Sequence, residues 1–326
     1  MNAAVEALTV GRVGVDLYPE QSGVPLAEVT SFARFLGGTA TNVAVAAARL
    51  GHRTAVLTKV GADDFGGYVR EALDRFGVDP SHVGTAAELL TPVVFCALDP
   101  PEDPPLLFYR LPIAPDLTLT PADVPWELVE DVPLLWVTGT GVSVEPARQT
   151  QFDMLAHRGR PDSATGRWTV LDLDWRPMFW PSPQDARREY ERMLNTVTVA
   201  VGNRAEVEVA VGTAQPEEAA RRILDHGVEL VLVKKGAEGV LVATAEGMTT
   251  VPPRFVTVVN GLGAGDAFGG ALIHGLLSGW DPVRCAEYAN AAGAIVASRL
   301  ACADAMPTID ELDAMVASLD VGEEVR

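Results

Sequence analysis

The 326-residue sequence is poor in cysteine and in positive charge. Its three cysteines, Cys96, Cys285 and Cys302, include no C-x-x-C pair, which favours a reducing compartment over a disulfide framework. The 44 acidic residues outnumber the 25 lysines and arginines and give a net charge of −19. This balance argues against a nucleic-acid surface or an anionic-membrane surface, since both need a basic footprint.

Long apolar runs and common nucleotide motifs are also missing. No stretch approaches the roughly 20 apolar residues of a membrane span, and the opening residues carry Glu6 and no basic segment of a secretory signal. Only three lysines occur (Lys59, Lys234 and Lys235), none of them in a G-K-[ST] motif, and no G-x-G-x-x-G follows a predicted strand. A P-loop and a dinucleotide-dependent oxidoreductase therefore have no support, and a soluble cytoplasmic protein is predicted.

The apolar residues that are present fall into short strand-like runs separated by helical patterns. These runs are residues 8–16, 54–61, 133–139, 168–174, 195–203 and 229–236. Apolar runs of this length between helices predict a parallel sheet covered on both faces. We expect one α/β domain over residues 1–326, built as a three-layer αβα sandwich with a mostly parallel central sheet.

Two stretches, residues 17–38 and 91–112, break this alternation. They have the extended pattern of a small separate sheet, a lid formed by about 17–36 and 92–111, with the "DPPEDPP" segment as its exposed tip. Two irregular surface loops would fit the same pattern. Because so small a sheet cannot bury both faces on its own chain, we expect one face to cover a substrate and the other face, or the exposed edge, to meet a second copy in a homodimer. A monomer with a short lid that is polar outside is the alternative.

The segment "VVNGLGAGDAFGGAL" (258–272) places glycines where a helix is predicted to begin. Such a turn leaves unpaired N–H groups at the positive end of the helix dipole, so Gly263, Ala264 and Gly265 are candidates for an anion cradle. An acid beside a bound anion is repelled unless it transfers a proton, and Asp266 is therefore a candidate general base. An N-cap aspartate after a flexible turn is the alternative.

A second glycine-rich stretch contains Gly37, Gly38 and Asn42, and Asp16 is expected at the end of the first strand. Ligands of open α/β sheets bind at this edge, and a carboxylate with an amide can bind vicinal sugar hydroxyls. Ordinary turn roles for Asp16 and Asn42 remain open.

Together the two stretches resemble the signatures of the ribokinase-like (PfkB) sugar kinases, and the resemblance runs from about Val10 to about Glu311. The amino-terminal signature is matched by Gly37, Gly38, Ala40, Asn42, Ala44, Gly51 and Gly61. The carboxy-terminal signature is matched from Gly263 through Asp266 and onward. The resemblance implies the ribokinase-like fold, ATP-dependent phosphorylation of a sugar hydroxyl, Asp266 as the base, and Gly263, Ala264 and Gly265 as the anion hole.

The resemblance also implies an ion site. "GNRAE" is similar to the family's N-x-x-E motif, which makes Asn203 and Glu206 the organisers of Mg²⁺ and phosphate through water. A first-turn helix acid would account equally for Glu206. Gly261 stands where the family usually has threonine or a similar small residue, beside a monovalent-cation loop, so binding of K⁺ is left open.

For the nucleotide, the resemblance implies that ATP is bound by Lys234, Gly236 and Gly239 of "VKKGAEG", together with Gly263 and Gly265. Asn290 matches an adenine-side position. A solvated helix asparagine would look identical.

The finer resemblance is to one branch of the family, the 5-dehydro-2-deoxygluconokinases of inositol breakdown. It is carried by "DLYPEQSGVPL", "FYRLPIAPDL", "DLDWRPMFW" and "AMPT". It implies phosphorylation of the terminal C6 hydroxyl of 5-dehydro-2-deoxy-D-gluconate. The alternatives are a 2-keto-3-deoxygluconate kinase, another ribokinase- or fructokinase-type kinase, and a sugar-binding regulator without turnover, which the intact Asp266 and its glycines disfavour.

An acidic sugar needs cations in its site. Arg110 and Arg176 are the candidates to bind the carboxylate, because arginine presents a planar fork that matches it. Arg12 and Arg34 are weaker candidates. Arg176 could instead form a structural ion pair with Asp172 or Asp174.

Overall fold

The computed structural model describes residues 4–21, 23–101, 104–161 and 163–320. The strands are β1 Ala7–Val10, β2 Gly14–Pro19, β3 Phe32–Gly37, β4 Thr54–Gly61, β5 Val78–Asp79, β6 Val83–Ala86, β7 Val93–Cys96, β8 Leu106–Tyr109, β9 Leu134–Thr138, β10 Trp168–Asp172, β11 Val199–Asn203, β12 Leu230–Lys234, β13 Val240–Thr244 and β14 Gly247–Val251. The helices are α1 Thr39–Arg49, α2 Asp64–Arg75, α3 Trp126–Asp131, α4 Ala147–Arg158, α5 Pro183–Leu194, α6 Arg204–Val211, α7 Pro216–Asp225, α8 Ala264–Leu277, α9 Pro282–Ala297 and α10 Ile309–Asp320. In these ranges no helix combines the length and the apolar character that crossing a bilayer requires.

The main sheet has the strand order β14-β13-β12-β11-β10-β9-β1-β4-β5, with β6 also paired to β4. Neighbours from β12 to β5 run parallel, and β13 and β14 are antiparallel additions at one edge. The prediction of a mostly parallel central sheet is confirmed.

Helices cover both faces of this sheet. Alternate side chains of β9 point to opposite sides, so Trp136 packs in one core with α1, α2, α8, α9 and α10. Its neighbours Leu135 and Val137 pack in the other core with α3, α4, α5, α6 and α7. This period-2 division of a fully buried strand is what a three-layer αβα sandwich requires, and the predicted fold class is confirmed.

A separate four-stranded sheet, which we call the small sheet, has the order β3-β2-β7-β8. Three of its strands lie within the two stretches that break the alternation, and β2 begins before the first of them, at Gly14. The strands pair in register, with Asp16 opposite Phe35 and Val94. The predicted tip includes Glu102 and Asp103, which lie outside the described residues. Pro101, beside them, accepts a hydrogen bond through its carbonyl oxygen from the Gly261 amide at 2.7 Å.

The strand predicted over residues 8–16 is in fact two strands in two sheets. The chain leaves β1 at Gly11, whose φ is +147° and whose position would put a Cβ 2.8 Å from Thr138 Oγ1. Apolar residues alternate on both sides of this bend, so periodicity alone does not locate it. As a consequence Asp16 lies within β2 of the small sheet and not at the end of a central strand.

Candidate active site

A cavity of about 720 Å³ lies between the carboxyl edge of the central sheet and the small sheet. Loops that follow β1, β10, β11 and β12 form one wall, and β2, β7 and β8 contribute the opposite wall. The predicted site residues that line it are Asp16, Gly38, Asn42, Arg110, Arg176, Asn203, Glu206, Lys234, Gly236, Gly263, Gly265 and Asp266. The size is in the range of small-molecule sites.

Asp266 lies in the first turn of α8 and faces this cavity. Its Oδ2 accepts a hydrogen bond from Asn42 Nδ2 at 2.8 Å, and the helix N-cap is Gly263, so the N-cap alternative for Asp266 does not hold. Burial raises the pKa of Asp266 to about 6, against the lowering effect of the Asn42 amide. A carboxylate with a pKa near neutrality, fixed in orientation, suits a general base.

The α8 N-terminus has the features of an anion cradle. Gly263 has a left-handed φ of +80°, and no side chain among the described residues caps the first amides of the helix. A Cβ on Gly265 would lie 3.4 Å from Lys234 Nζ, so the ammonium group lies over that glycine. Burial would lower the pKa of Lys234, but the charges of Glu206, Asp172 and Asp266 raise it. A cation and free amides therefore face the same space.

Asn203 and Glu206 form a capping box at the start of α6. The Glu206 amide donates to Asn203 Oδ1 at 3.0 Å, and the Asn203 amide donates to Glu206 Oε2 at 2.6 Å. The structural alternative for Glu206 is thus realised, while both residues also line the cavity. The described residues contain no cluster of three or more His, Cys, Asp or Glu that could enclose a metal ion. An ion that keeps most of its water fits this sparse donor set.

The arginines of the cavity are held by buried carboxylates. Arg110 Nη2 donates to both oxygens of Asp116 at 2.9 and 2.8 Å. Arg176 Nη2 lies 3.4 Å from Asp174 Oδ1, so the structural pair expected as an alternative is present. Each of these two arginines nevertheless lines the cavity, and an ion pair that holds a guanidinium in place leaves other N–H groups free to bind a ligand.

Arg12, a weaker candidate from sequence, is a buried residue of the cavity wall. Its guanidinium donates to Asp174 Oδ1 and Oδ2 at 2.8 and 2.7 Å. Arg34, the other weaker candidate, is outside the lining and stacks over the Tyr68 ring, 3.7 Å from its centroid. The spacing of residues in the sequence did not show that Arg12 lies at the cavity and that Arg34 does not.

Asp16 faces the cavity from the small sheet. Burial, and next the negative charge of Asp266, raise the pKa of Asp16 to about 7, while Arg12 lowers it. Gly37 is not among the lining residues, but a Cβ there would lie 2.1 Å from Asp16 Oδ1. Gly37 therefore supports the site by leaving room for this carboxylate.

Three other predicted residues also lie outside the cavity lining. Gly239, with φ +83°, makes the turn before β13, and a Cβ there would lie 2.0 Å from the Val251 carbonyl oxygen. Asn290 on α9 donates from Nδ2 to the Pro252 carbonyl oxygen at 2.9 Å. Ala264 is the first residue of α8 and follows the cavity-lining Gly263.

Some residues of the site were missed from sequence. Asp116 holds Arg110, and Cys302 lines the cavity beside Gly263. Asp174, expected only as a possible partner of Arg176, also binds Arg12. The segment "DLDWRPMFW" had been noted for its resemblance, and its two aspartates were the available signal.

Comparisons with known proteins agree with this geometry. Residues 6–309 match the family described as pfkB family carbohydrate kinase. A 5-dehydro-2-deoxygluconokinase of Geobacillus thermodenitrificans is 31% identical over 318 residues, which are 96% of this chain and 93% of that protein.

Two solved kinases have the same fold. A double-mutant fructokinase of Vibrio cholerae with fructose, ADP and potassium ion bound has a TM-score of 0.84 and 27% identity, covering 97% of this chain and 100% of that one. The aminoimidazole riboside kinase of Salmonella enterica, complexed with aminoimidazole riboside and an ATP analog, has a TM-score of 0.78 and 25% identity, covering 95% of this chain and 99% of that one.

Proposed function

The chain belongs to the pfkB family of carbohydrate kinases, and from this premise we propose that its acceptor is 5-dehydro-2-deoxy-D-gluconate, phosphorylated on the C6 hydroxyl. The reaction class follows from the family: a sugar and ATP are the substrates, and a divalent cation assists. The observation that carries the acceptor proposal is the cavity wall with Arg12, Arg110 and Arg176. An acceptor with a carboxylate matches such a wall, and the named activity of the Geobacillus relative supports the same choice.

In the proposed mechanism Asp266 acts on the acceptor hydroxyl. Its carboxylate takes the hydroxyl proton as the oxygen attacks the γ-phosphorus of ATP, and ADP departs as the bond from the γ-phosphorus to the bridging oxygen breaks. Asn42 donates to Oδ2 at 2.8 Å and so fixes the orientation of the carboxylate. The other oxygen, Oδ1, is the proton acceptor in this proposal.

The charge that develops on the transferred phosphoryl group would meet the α8 N-terminus. The Gly263 to Gly265 amides and the Lys234 ammonium surround one space, so they are organised before the reaction begins. Glycines here let the phosphate approach the backbone, which a side chain would prevent.

A magnesium ion would neutralise phosphate charge in this reaction. Asn203 and Glu206 fit it as partners of its bound waters, because their capping box holds a carboxylate and an amide at the cavity wall. We propose K⁺ only as an accessory ion near Gly261, as its binding to the fructokinase suggests.

We also propose a homodimer formed through the outer face of the small sheet. Phe95 packs edge-on against Phe32 and Tyr109, with ring centroids 5.2 and 5.4 Å apart. Next to them Leu107 and Tyr109 are 51% and 64% exposed. A twofold copy is the commonest way to cover such a face. The three free cysteines fit a cytoplasmic location, which we include in the proposal.

The acceptor is tested with a panel of sugars at saturating ATP and magnesium. We expect the highest kcat/KM for 5-dehydro-2-deoxygluconate and a lower value for 2-keto-3-deoxygluconate, with fructose and ribose far below. Phosphorus NMR of the product should place the phosphate on C6. A neutral sugar as the best acceptor would refute the proposed acceptor and leave the kinase class intact.

The base is tested by Asp266→Asn. Because the amide cannot take the proton, kcat should fall by about 10²–10⁴-fold while the KM for ATP changes little. Near-normal turnover in this variant would remove Asp266 as the base.

A further inference from the structure

Asp174 has an unusual backbone conformation for a residue with a side chain. Its φ is +36°, and it is the one non-glycine residue in the described part of the chain with a positive φ. This conformation is uncommon for an L-residue and persists where the surroundings enforce it. Strain of this kind is concentrated at functional sites, so the contacts of the Asp174 side chain are informative.

The Asp174 carboxylate joins groups from two distant segments to Arg176 of its own loop. Arg12 binds it through Nη2, at 2.8 and 2.7 Å to its two oxygens. Thr140 Oγ1 donates to Oδ2 at 2.7 Å, and Arg176 Nη2 lies 3.4 Å from Oδ1. Burial would raise the pKa of Asp174, but the Arg12 and Arg176 charges lower it, so the group is ionised.

From their contacts with Asp174, the side chains of Arg12 and Arg176 extend to the cavity. Both line it, whereas Asp174 does not. Arg12 also donates to Thr39 Oγ1 at the start of α1, and its guanidinium lies over the Phe179 ring, 5.7 Å from the centroid. Arg110 approaches the same ring, at 5.2 Å. The anchored pair thus adjoins the third arginine of the wall.

The three guanidinium groups of this wall share two salt-bridged carboxylates, and the carboxylates of Asp16, Glu206 and Asp266 also line the cavity. The salt bridges of the three arginines are made with two carboxylates, those of Asp174 and Asp116. Arg176 Nε is also a buried donor without a hydrogen-bond partner among the described residues, and a buried unsatisfied donor is costly unless a ligand completes it.

We infer that Asp174 is the positioning residue for the acceptor's carboxylate, because it holds Arg12 and Arg176 side by side as a paired anion-binding surface. This inference rests on the proposed function, in which the acceptor is a sugar acid. Arg12 and Arg176 bind the substrate, and Asp174 acts through them without touching it.

The test compares an acidic and a neutral acceptor in Asp174→Asn and Asp174→Gly. Both replacements tolerate the left-handed backbone, since Asn is enriched there and Gly adopts it freely. We expect the KM for the sugar acid to rise by about 10- to 100-fold, the scale of a lost charge-assisted interaction. The KM for ATP and the KM for fructose should stay within about twofold of wild type, because neither ligand uses the arginine pair.

Two further variants serve as controls. Glu311→Gln breaks the Arg299–Glu311 pair, which lies outside the cavity, and should leave all three KM values unchanged. Arg12→Lys keeps the charge but loses the fork, so it should reproduce part of the loss for the acid alone. It also tests the arginine pair if the Asp174 variants fail to fold.

The outcomes separate this inference from the proposed function. If the wild-type enzyme does not prefer the acid, the proposed acceptor fails. If the wild-type enzyme prefers the acid and the Asp174 variants keep that preference, the positioning role is overturned. It is also overturned if the KM values of these variants rise equally for the acidic and the neutral acceptor. If the Asp174 variants do not fold and Arg12→Lys retains full preference for the acid, the positioning role is likewise overturned.

Discussion

At the scale of single residues, two carboxylates facing one cavity have pKa values close to neutrality. Burial is the main cause for both, and it raises the pKa of Asp266 to about 6 and that of Asp16 to about 7. Their environments differ in the partner: Asn42 donates to Asp266, whereas Asp16 lies against Gly37. With a pKa of about 6, Asp266 is mostly ionised at neutral pH, as the proposed general base requires.

This pKa predicts a pH dependence. Asp266 accepts a proton only when it is ionised, so kcat/KM should fall as the pH drops through about 6, the raised pKa of the free enzyme. Asn42→Ala removes a hydrogen bond that lowers this pKa. The pH at which kcat/KM falls should therefore move to a higher value. Asn195→Ala, which removes a surface amide bonded to Glu191, is the matched control. The prediction is contradicted if kcat/KM of Asn42→Ala falls at the same pH as that of the wild type.

At the residue level, the sequence predicted which residues line the cavity where a motif was local. The positions of Asp266, Asn42 and the glycines of the cradle follow from short spacings that the cavity brings together. The Arg12–Asp174 pair could not be predicted in this way, because its members are separated by 162 residues and depend on a left-handed residue.

At the scale of elements, helix α8 has its first turn at the cavity and ends near the protein surface. Its N-cap is Gly263, φ +80°, and Gly279, φ +68°, follows its C-terminal end. Both glycines are left-handed, but a Cβ on Gly263 would lie 2.8 Å from Cys302 Sγ, whereas a Cβ on Gly279 would meet nothing within 4 Å. A substitution at Gly279 therefore tests backbone strain alone, and a substitution at Gly263 tests strain together with crowding.

This pair predicts a matched experiment. Gly279→Ala should destabilise the fold by about 1 kcal/mol through strain, and Gly263→Ala by more, because its Cβ would also crowd Cys302. Gly263→Ala should in addition distort the cradle, so we expect kcat to fall by about 10²-fold or more, the scale of one lost oxyanion donor. Thermal unfolding and steady-state kinetics measure the two effects. Equal activities in the two variants would exclude a cradle at Gly263.

Elements were predicted well where burial on both faces demanded an apolar run, as in β9 and β12. The break between β1 and β2 was not predicted, because the chain passes from the central sheet to the small sheet at Gly11 without interrupting the apolar pattern. Pairing of β2 with β7 joins residues about 80 positions apart, and such register depends on tertiary packing.

At the scale of the whole molecule, the outer face of the small sheet is the surface proposed for dimerisation. Side chains alternate along β8, so Phe108 lines the cavity while Leu107 and Tyr109 point to the opposite side. Substrate coverage and subunit association would therefore use the two faces of one sheet.

Sedimentation velocity at micromolar concentration should give about twice the chain mass of 34.6 kDa. Leu107→Glu places a charge on the outer face and should shift the protein to monomer, because burying an unpaired charge is unfavourable. Leu90→Glu changes a leucine that is 78% exposed outside the sheets and should leave the mass unchanged. A wild-type monomer would remove the proposed dimer.

The close fit of Asp16 against Gly37 also constrains how this sequence can change over evolutionary time. A side chain at position 37 would overlap the Asp16 carboxylate, with a Cβ 2.1 Å from Oδ1, so the fitness effect of either substitution depends on the other. A lineage that fills position 37 first must pass through a crowded, impaired intermediate. A lineage that first shortens residue 16 loses the carboxylate predicted to bind sugar hydroxyls, but position 37 can then be filled without this overlap. Mutational paths away from this activity should therefore begin at position 16.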